Sequence, residues 1–296
     1  MTRAARGGVA GLSGMASGWS AWEDAPVCPP TLRSDVAHSA RLYNYLLGRK
    51  DYYAADRELA EALYQVTPDV VTAAREHRAF MRRVAGWMAA EGLGQFVDIG
   101  TGLPDSPNLH EVVQAVTATA RVLYVDPDPL VLLHARALLT SGPEGATAYL
   151  EADVRDPQKI LTEAAGAGLD LARPVGLTVL GVLPFVADGA EVAEVVAALV
   201  GGLASGSLVA LSHATGDFLP DGGRAVAEVY QKHGMVFVPR TAEEVGALVP
   251  AGVDLVEPGL VAVHRWWPGP DSDLYPIAKR YTDEQVSIYG LVGRVR

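Results

Sequence analysis

Short apolar runs that close on an acid or a glycine recur along this chain, and their spacing predicts alternating strands and helices. Gln95-Phe-Val-Asp-Ile99 runs into Gly100-Thr-Gly102, and Arg121-Val-Leu-Tyr-Val-Asp126 ends in a second acid. Runs of this length bounded by turn residues read as buried parallel strands. Residues 109–116 between them have a helical rhythm, giving a strand, glycine turn, helix, strand unit. The alternation continues with a helix over 129–139, a third strand over 147–153 ending at Asp153, and a helix opening at Asp156-Pro157. The fourth strand, 175–183, is almost wholly apolar, as a central strand covered on both faces should be. A helix over 191–203, a fifth strand over 206–213 ending at His213, and a helix over 221–233 follow. Thr241 and Glu244 have capping-box spacing, marking a short helix. Runs at 260–266 and 286–292, with no long helix between them, predict an antiparallel hairpin that finishes the sheet.

Ahead of the first strand the period is helical. Ser34 or Asp35 can cap a helix ending at Gly48, and Val70, Ala74, His77, Met81, Val84 and Met88 mark one apolar stripe of a helix over 68–90. His77 on that stripe reads as a hydrogen-bonded core residue without chemistry. The charged and aromatic stretch from Arg49 to Arg57 reads as a turn between helices. Pro29-Pro30 closes a glycine-rich, flexible leader over residues 1–30.

Composition narrows the class. With 296 residues, 49% of them hydrophobic, the chain can bury one large core with an extension. Its 24 Lys and Arg against 35 Asp and Glu, a net charge of -11, disfavour a nucleic-acid partner. Cys28 is the single cysteine, so neither a disulfide framework nor a multi-cysteine zinc site is available, and a cytoplasmic location is expected. Even 192–203 carries Glu194 and two glycines, so no membrane span is expected. The seven histidines are dispersed, and Asp126-Pro-Asp128 and Asp271-Ser-Asp273 are ordinary turn spacings, so no metal is expected. The Trp266-Trp267 pair reads as packing at a strand end.

The glycine turn selects a nucleoside. Asp126 lies about as far downstream as a ribose-binding acid does in dinucleotide folds, but Asp105 stands where their third glycine would be. A carboxylate at Asp98 would repel a pyrophosphate and attract a cationic amino group. That favours an amino-acid-bearing nucleoside, S-adenosylmethionine (AdoMet), over NAD, which stays as an alternative with redox chemistry.

The order Asp98-Ile-Gly-Thr-Gly102, Val125-Asp126, Ala152-Asp153, an apolar fourth strand and a closing hairpin resembles the class I AdoMet-dependent methyltransferases. More narrowly, Arg41-Leu-Tyr-Asn-Tyr-Leu-Leu-Gly48, Ala54-Ala-Asp-Arg57, Asp98-Ile-Gly-Thr-Gly-Leu-Pro104, His110-Glu-Val112 and Tyr124-Val-Asp126 are similar to an actinobacterial methyltransferase family known as DUF574. The resemblance implies a Rossmann-like α/β fold, with a seven-stranded, mostly parallel sheet, an antiparallel last strand and an N-terminal helical cap. The division expected is a leader over 1–30, the cap over 31–92 and an AdoMet-binding domain over 93–296. It further implies that Asp98, Gly100 and Gly102 line the methionine part of AdoMet, that Asp126 holds the ribose hydroxyls, and that Asp153 faces the adenine amino group. The sequence departs from the family at Asn44, Arg49, Tyr52 and Pro127, where Asp, Gly, Asn and Asn are usual.

Methyl transfer from a sulfonium is an in-line displacement that alignment and exclusion of water can drive, so no fixed catalytic signature is required. If the acceptor needs a base, His213 at the end of the fifth strand is the first candidate and Tyr43 the second. The expected acceptor is a small molecule, and the exposed cap helices offer a surface for a homo-oligomer. An AdoMet-binding sensor, or a methyltransferase fold without activity, is the other reading.

Overall fold

The computed structural model describes residues 33–267 and 280–296, so the leader expected over 1–30 and the loop with Pro268, Pro270 and Asp271-Ser-Asp273 lie outside the described residues. Three helices precede the sheet: α1 (Ser39–Leu46), α2 (Ala54–Val66) and α3 (Val70–Ala90). Then come β1 (Gln95–Ile99), α4 (Leu109–Val116), β2 (Arg121–Asp126), α5 (Pro129–Leu138), β3 (Ala146–Glu151), α6 (Pro157–Gly166), β4 (Gly176–Leu180), α7 (Gly189–Gly201) and β5 (Leu208–Ala214). The chain continues through α8 (Arg224–Lys232), α9 (Ala242–Ala247), β6 (Val253–Leu255), β7 (Val261–Ala262), α10 (Asp283–Val286) and β8 (Ile288–Val295).

The strands form one sheet in the order β3-β2-β1-β4-β5-β8-β6, with β7 also paired to β8. β1 to β5 run parallel, and β8 runs antiparallel to β5, pairing Leu208 with Arg294 and Ala214 with Ile288. This is the mostly parallel Rossmann-like arrangement expected, with one strand more. The closing antiparallel pair is present but short: Val261 and Ala262 of β7 pair with Gly290 and Tyr289 of β8, and Val263–Arg265 is already a tight helical turn. It does not form the sheet's edge by itself, because β8 sits between β5 on one side and β6 and β7 on the other. Pairing between strands distant in sequence is not encoded in local periodicity.

Side chains alternate across β1. Val97 and Ile99 join a core under α6 and α7 with Leu123, Val125 and Val179, while Phe96 joins Phe80, Val84 and Met88 of α3 on the other face. Both faces are covered, which is why these strands read as continuous apolar runs. Trp266 is fully buried against Phe80 and Trp87, the packing role expected of it.

The stretch Arg49–Arg57 is also corrected: its second half is the first turn of α2. Asp56 is buried there as the third residue of a capping box, accepting the Tyr53 and His38 amides at 2.8 Å each and the Arg41 guanidinium at 2.8 Å. The Asp56 carboxylate turns inward to satisfy a helix terminus and a buried cation, while Arg49, Lys50, Asp51 and Arg57 stay exposed. The first helix likewise begins later than expected, capped by His38 through Nδ1 to the Ala40 amide. α1, α2 and α8 share an apolar cluster of Leu42, Leu46, Leu59, Leu63, Val229 and Tyr230.

Candidate functional site

In a doubly wound sheet ligands bind beyond the carboxyl ends of the strands, where the strand order reverses. Here that point lies between β1 and β4. A cavity of about 440 Å³ opens there, bounded by the ends of β1, β2 and β4, the turn after β3, and the helices α1 to α3. Its size suits a ligand of cofactor dimensions.

The glycine turn forms its floor. Gly100 and Gly102 have φ of 75° and 65°, values that L side chains rarely adopt. A Cβ at Gly100 would overlap the side chain of Val182, whereas at Gly102 nothing lies within 4 Å of where a Cβ would stand. The Gly100 amide donates to the Val125 carbonyl at 2.8 Å, and the Gly102 amide to Asp126 Oδ2 at 3.0 Å. Asp126 Oδ1 accepts the Asp128 amide at 2.9 Å. Each oxygen of Asp126 thus holds one backbone donor and keeps acceptor capacity for a ligand. Burial pushes its pKa up to about 6, against the pull of the two amides.

Asp153 borders the cavity in the turn after β3, two residues beyond the strand it was expected to end. Its carboxylate is gripped by Arg155, Nε to Oδ1 at 2.9 Å and Nη2 to Oδ2 at 2.6 Å, a fork that holds its pKa down. Much of the acceptor capacity expected to meet an adenine amine is already engaged by this neighbour.

Two expected site residues are not in the cavity wall. Asp98 stands behind the turn with Oδ1 accepting the Thr178 hydroxyl at 2.6 Å, and burial raises its pKa to about 6. It is a charge beneath the glycine floor, not a group lining it. His213 is corrected more sharply. It is 1% exposed, donates from Nδ1 to the Ala214 carbonyl at 2.8 Å, and accepts on Nε2 from Arg240 Nη1 at 2.8 Å. Arg240 is anchored in turn on the carbonyls of Leu183 and Val186. With both nitrogens committed and no face on the cavity, His213 is not placed to act as a base.

Alongside His38, the cavity is lined by His77, which the apolar stripe of α3 disguised. Its Nδ1 lies 3.0 Å from the Tyr43 hydroxyl and its Nε2 2.7 Å from the Ser212 hydroxyl, which accepts the Gly181 amide at 2.9 Å. Tyr43 also donates to the Ala74 carbonyl at 3.0 Å. The set is consistent with a neutral ring protonated on Nδ1, and burial pushes the His77 pKa down to about 4. Burial raises the pKa of Tyr43, so this second base candidate stays a protonated donor at the cavity wall.

The first two helices are pinned over the opening. Arg49 meets Asp105 at 2.5 Å in the loop after Gly102, with Arg78 Nε 3.6 Å from the same carboxylate, and His38 Nε2 lies 3.5 Å from Asp128. The Asp105 that stands where a dinucleotide fold has its third glycine and the Arg49 of the α1–α2 connection are therefore partners. Asn44 is buried and accepts the Asp51 amide at 3.0 Å, and Tyr52 packs edge-on to Tyr45. Among the described residues no three His, Cys, Asp or Glu gather as metal ligands, and no helix is long and apolar enough to cross a membrane.

A family model described as S-adenosyl methyltransferase matches residues 27–296. Among solved structures, the chain is similar to a DUF574 family protein from Streptomyces avermitilis, with 42% identity, a TM-score of 0.82, and 89% of this chain and 99% of that one covered. It is also similar to a protein from Thermobifida fusca with a proposed methyltransferase assignment, with 34% identity, a TM-score of 0.77, and coverage of 89% and 96%. No curated protein matches significantly.

Proposed function

Because the chain belongs to the S-adenosyl methyltransferase family, AdoMet is its methyl donor, and we propose that it methylates a small-molecule acceptor held between the helices α1 and α2 and the sheet. One observation carries this reading: a single cavity runs from Asp126 and the glycine turn to an apolar wall supplied by α1, α2 and α8. Donor and acceptor can then share one water-poor space.

The residues present fit the donor. Asp126 has acceptor capacity left for two ribose hydroxyls, and Gly102 leaves the backbone bare where the nucleoside meets the sheet. Asp153 and Arg155 border the adenine end as a pair, and Asp98 supplies negative charge beneath the end that takes the amino acid. AdoMet supplies an electrophilic methyl group on a sulfonium whose leaving group is already good. His77 stays neutral with both nitrogens engaged, and Tyr43 keeps its proton, so these groups orient and exclude water while in-line alignment provides the rate.

The test is calorimetric titration of the protein with AdoMet and with NAD, followed by incubation with methyl-labelled AdoMet and a fractionated cell extract. Binding of AdoMet alone and label in the small-molecule fraction are expected. Label confined to protein would remove the small-molecule reading, and binding with no transfer to any fraction would favour a sensor.

A further inference from the structure

The cap side of the cavity has its own chemistry. Leu42, Leu46 and Leu63 face three rings, Phe185, Tyr230 and Phe237. Tyr230 and Phe237 stack with centroids 4.2 Å apart and planes 12° off parallel, and Phe185 stands edge-on to both, at 6.0 and 5.6 Å. Aromatic corners of this kind receive a further ring by stacking or edge contact. This apolar wall also carries the Tyr230 hydroxyl. Tyr230 is 7% exposed, and among the described residues its hydroxyl makes no hydrogen bond. A hydroxyl that faces a cavity without a protein partner is normally completed by what fills the cavity.

Charge is absent from this end. Arg155 is the cavity's arginine and is closed on Asp153; His38 and His77 are held neutral by burial. Asp126 and Asp153 lie at the nucleoside end, and Glu284 is exposed at the rim. A phosphate, sulfonate or carboxylate on the acceptor would meet no free cation and be buried unpaired, and an ammonium would find a carboxylate only at the exposed rim, on Glu284.

We propose that the acceptor is an uncharged, flat aromatic molecule carrying a hydroxyl, its ring packed among Phe185, Tyr230 and Phe237 and its oxygen bonded to the Tyr230 hydroxyl. This deepens the methyltransferase reading and rests on it for the word acceptor, but the subsite makes its own binding prediction.

The experiment titrates the purified protein, with and without saturating AdoMet, against four probes: naphthol, naphthalene, a naphtholsulfonate, and the straight-chain alcohol of equal carbon count. Naphthol is expected to bind, with the sulfonate and the chain alcohol weaker by about tenfold or more. Phe237→Leu, which keeps apolar bulk, should weaken naphthol about fivefold, and Tyr230→Phe should weaken naphthol about fivefold while leaving naphthalene unchanged. AdoMet affinity, measured on the same variants as the check on folding, should stay within about twofold. Equal or tighter binding of the sulfonate, equal binding of the chain alcohol, or indifference of naphthol to both substitutions would overturn the inference. Naphthol binding without AdoMet binding would sink the donor reading instead and leave the aromatic subsite standing.

Discussion

The Gly102 amide donates to Oδ2 of Asp126 at 3.0 Å, so the turn that follows β1 is fastened to the acid that ends β2. The same contact fixes the carboxylate with its remaining lone pairs toward the cavity, and removing it should separate binding from folding. Asp126→Ala is expected to weaken AdoMet roughly a hundredfold, the worth of two hydrogen bonds to a charged acceptor. Calorimetry measures this, with thermal unfolding as the control.

Binding of AdoMet should depend on pH through the same group. Burial pushes Asp126 up to about 6, and hydroxyl donors are held best by the ionised form. Affinity is expected to be flat above pH 7 and to fall about tenfold per unit below pH 6. Asp98 is also pushed up to about 6, so Asp98→Asn serves to isolate the contribution of Asp126 to the slope.

His213 should matter to stability instead of turnover. Burial holds it neutral, with its pKa lowered from 6.5 to about 4 beside Arg240. The unfolded chain then takes up a proton at a higher pH than the folded one, so its contribution is intact above pH 6.5 and is lost between pH 6.5 and 4, to a total of about 3 kcal/mol. His213→Gln is expected to flatten the denaturation midpoint across that window and to leave the pH profile of methyl transfer unmoved.

The ion pair of Arg49 with Asp105 should act on exchange. Arg49 is half exposed, so Arg49→Gly is expected to cost about 1 kcal/mol of stability or less. It also frees the α1–α2 connection from the loop after Gly102. Stopped-flow displacement should show AdoMet leaving several-fold faster, and an unchanged rate would show that the Arg49–Asp105 pair does not limit the opening of α1 and α2.

Gly100 tests the floor. Gly100→Ala brings a Cβ into Val182 at a φ of 75°, and a loss of about 1–3 kcal/mol is expected together with loss of AdoMet binding. Adding Val182→Ala should restore part of the stability, because it removes the overlap but not the backbone strain.

Much of this could be read from the chain. β2 and α4 fall where apolar periodicity placed them, β2 closing on the acid expected at its end, since burial on both faces of a strand leaves few polar residues to confuse the pattern. What periodicity does not carry is facing. Ser212 and His213 are neighbours at the end of β5, and a strand points them to opposite faces. Ser212 meets His77 at the cavity and His213 meets Arg240 behind it, so proximity to a strand end singled out the wrong one of the two. His77 was hidden for the complementary reason: a polar ring satisfied by partners on α1 and β5 looks, along α3, like one more member of an apolar stripe. The Arg49–Asp105 pair spans segments that no local pattern joins.

The position of β8 bears on how the molecule is made. β6 and β7 emerge from the ribosome before the strand to which both bond, and one edge of β5 is equally bare until residues 288–295 arrive. An open β5 edge invites pairing with another chain in the meantime. Vectorial synthesis therefore leaves this sheet split until its eighth strand slides between the halves, and chaperone dependence should be concentrated in that interval.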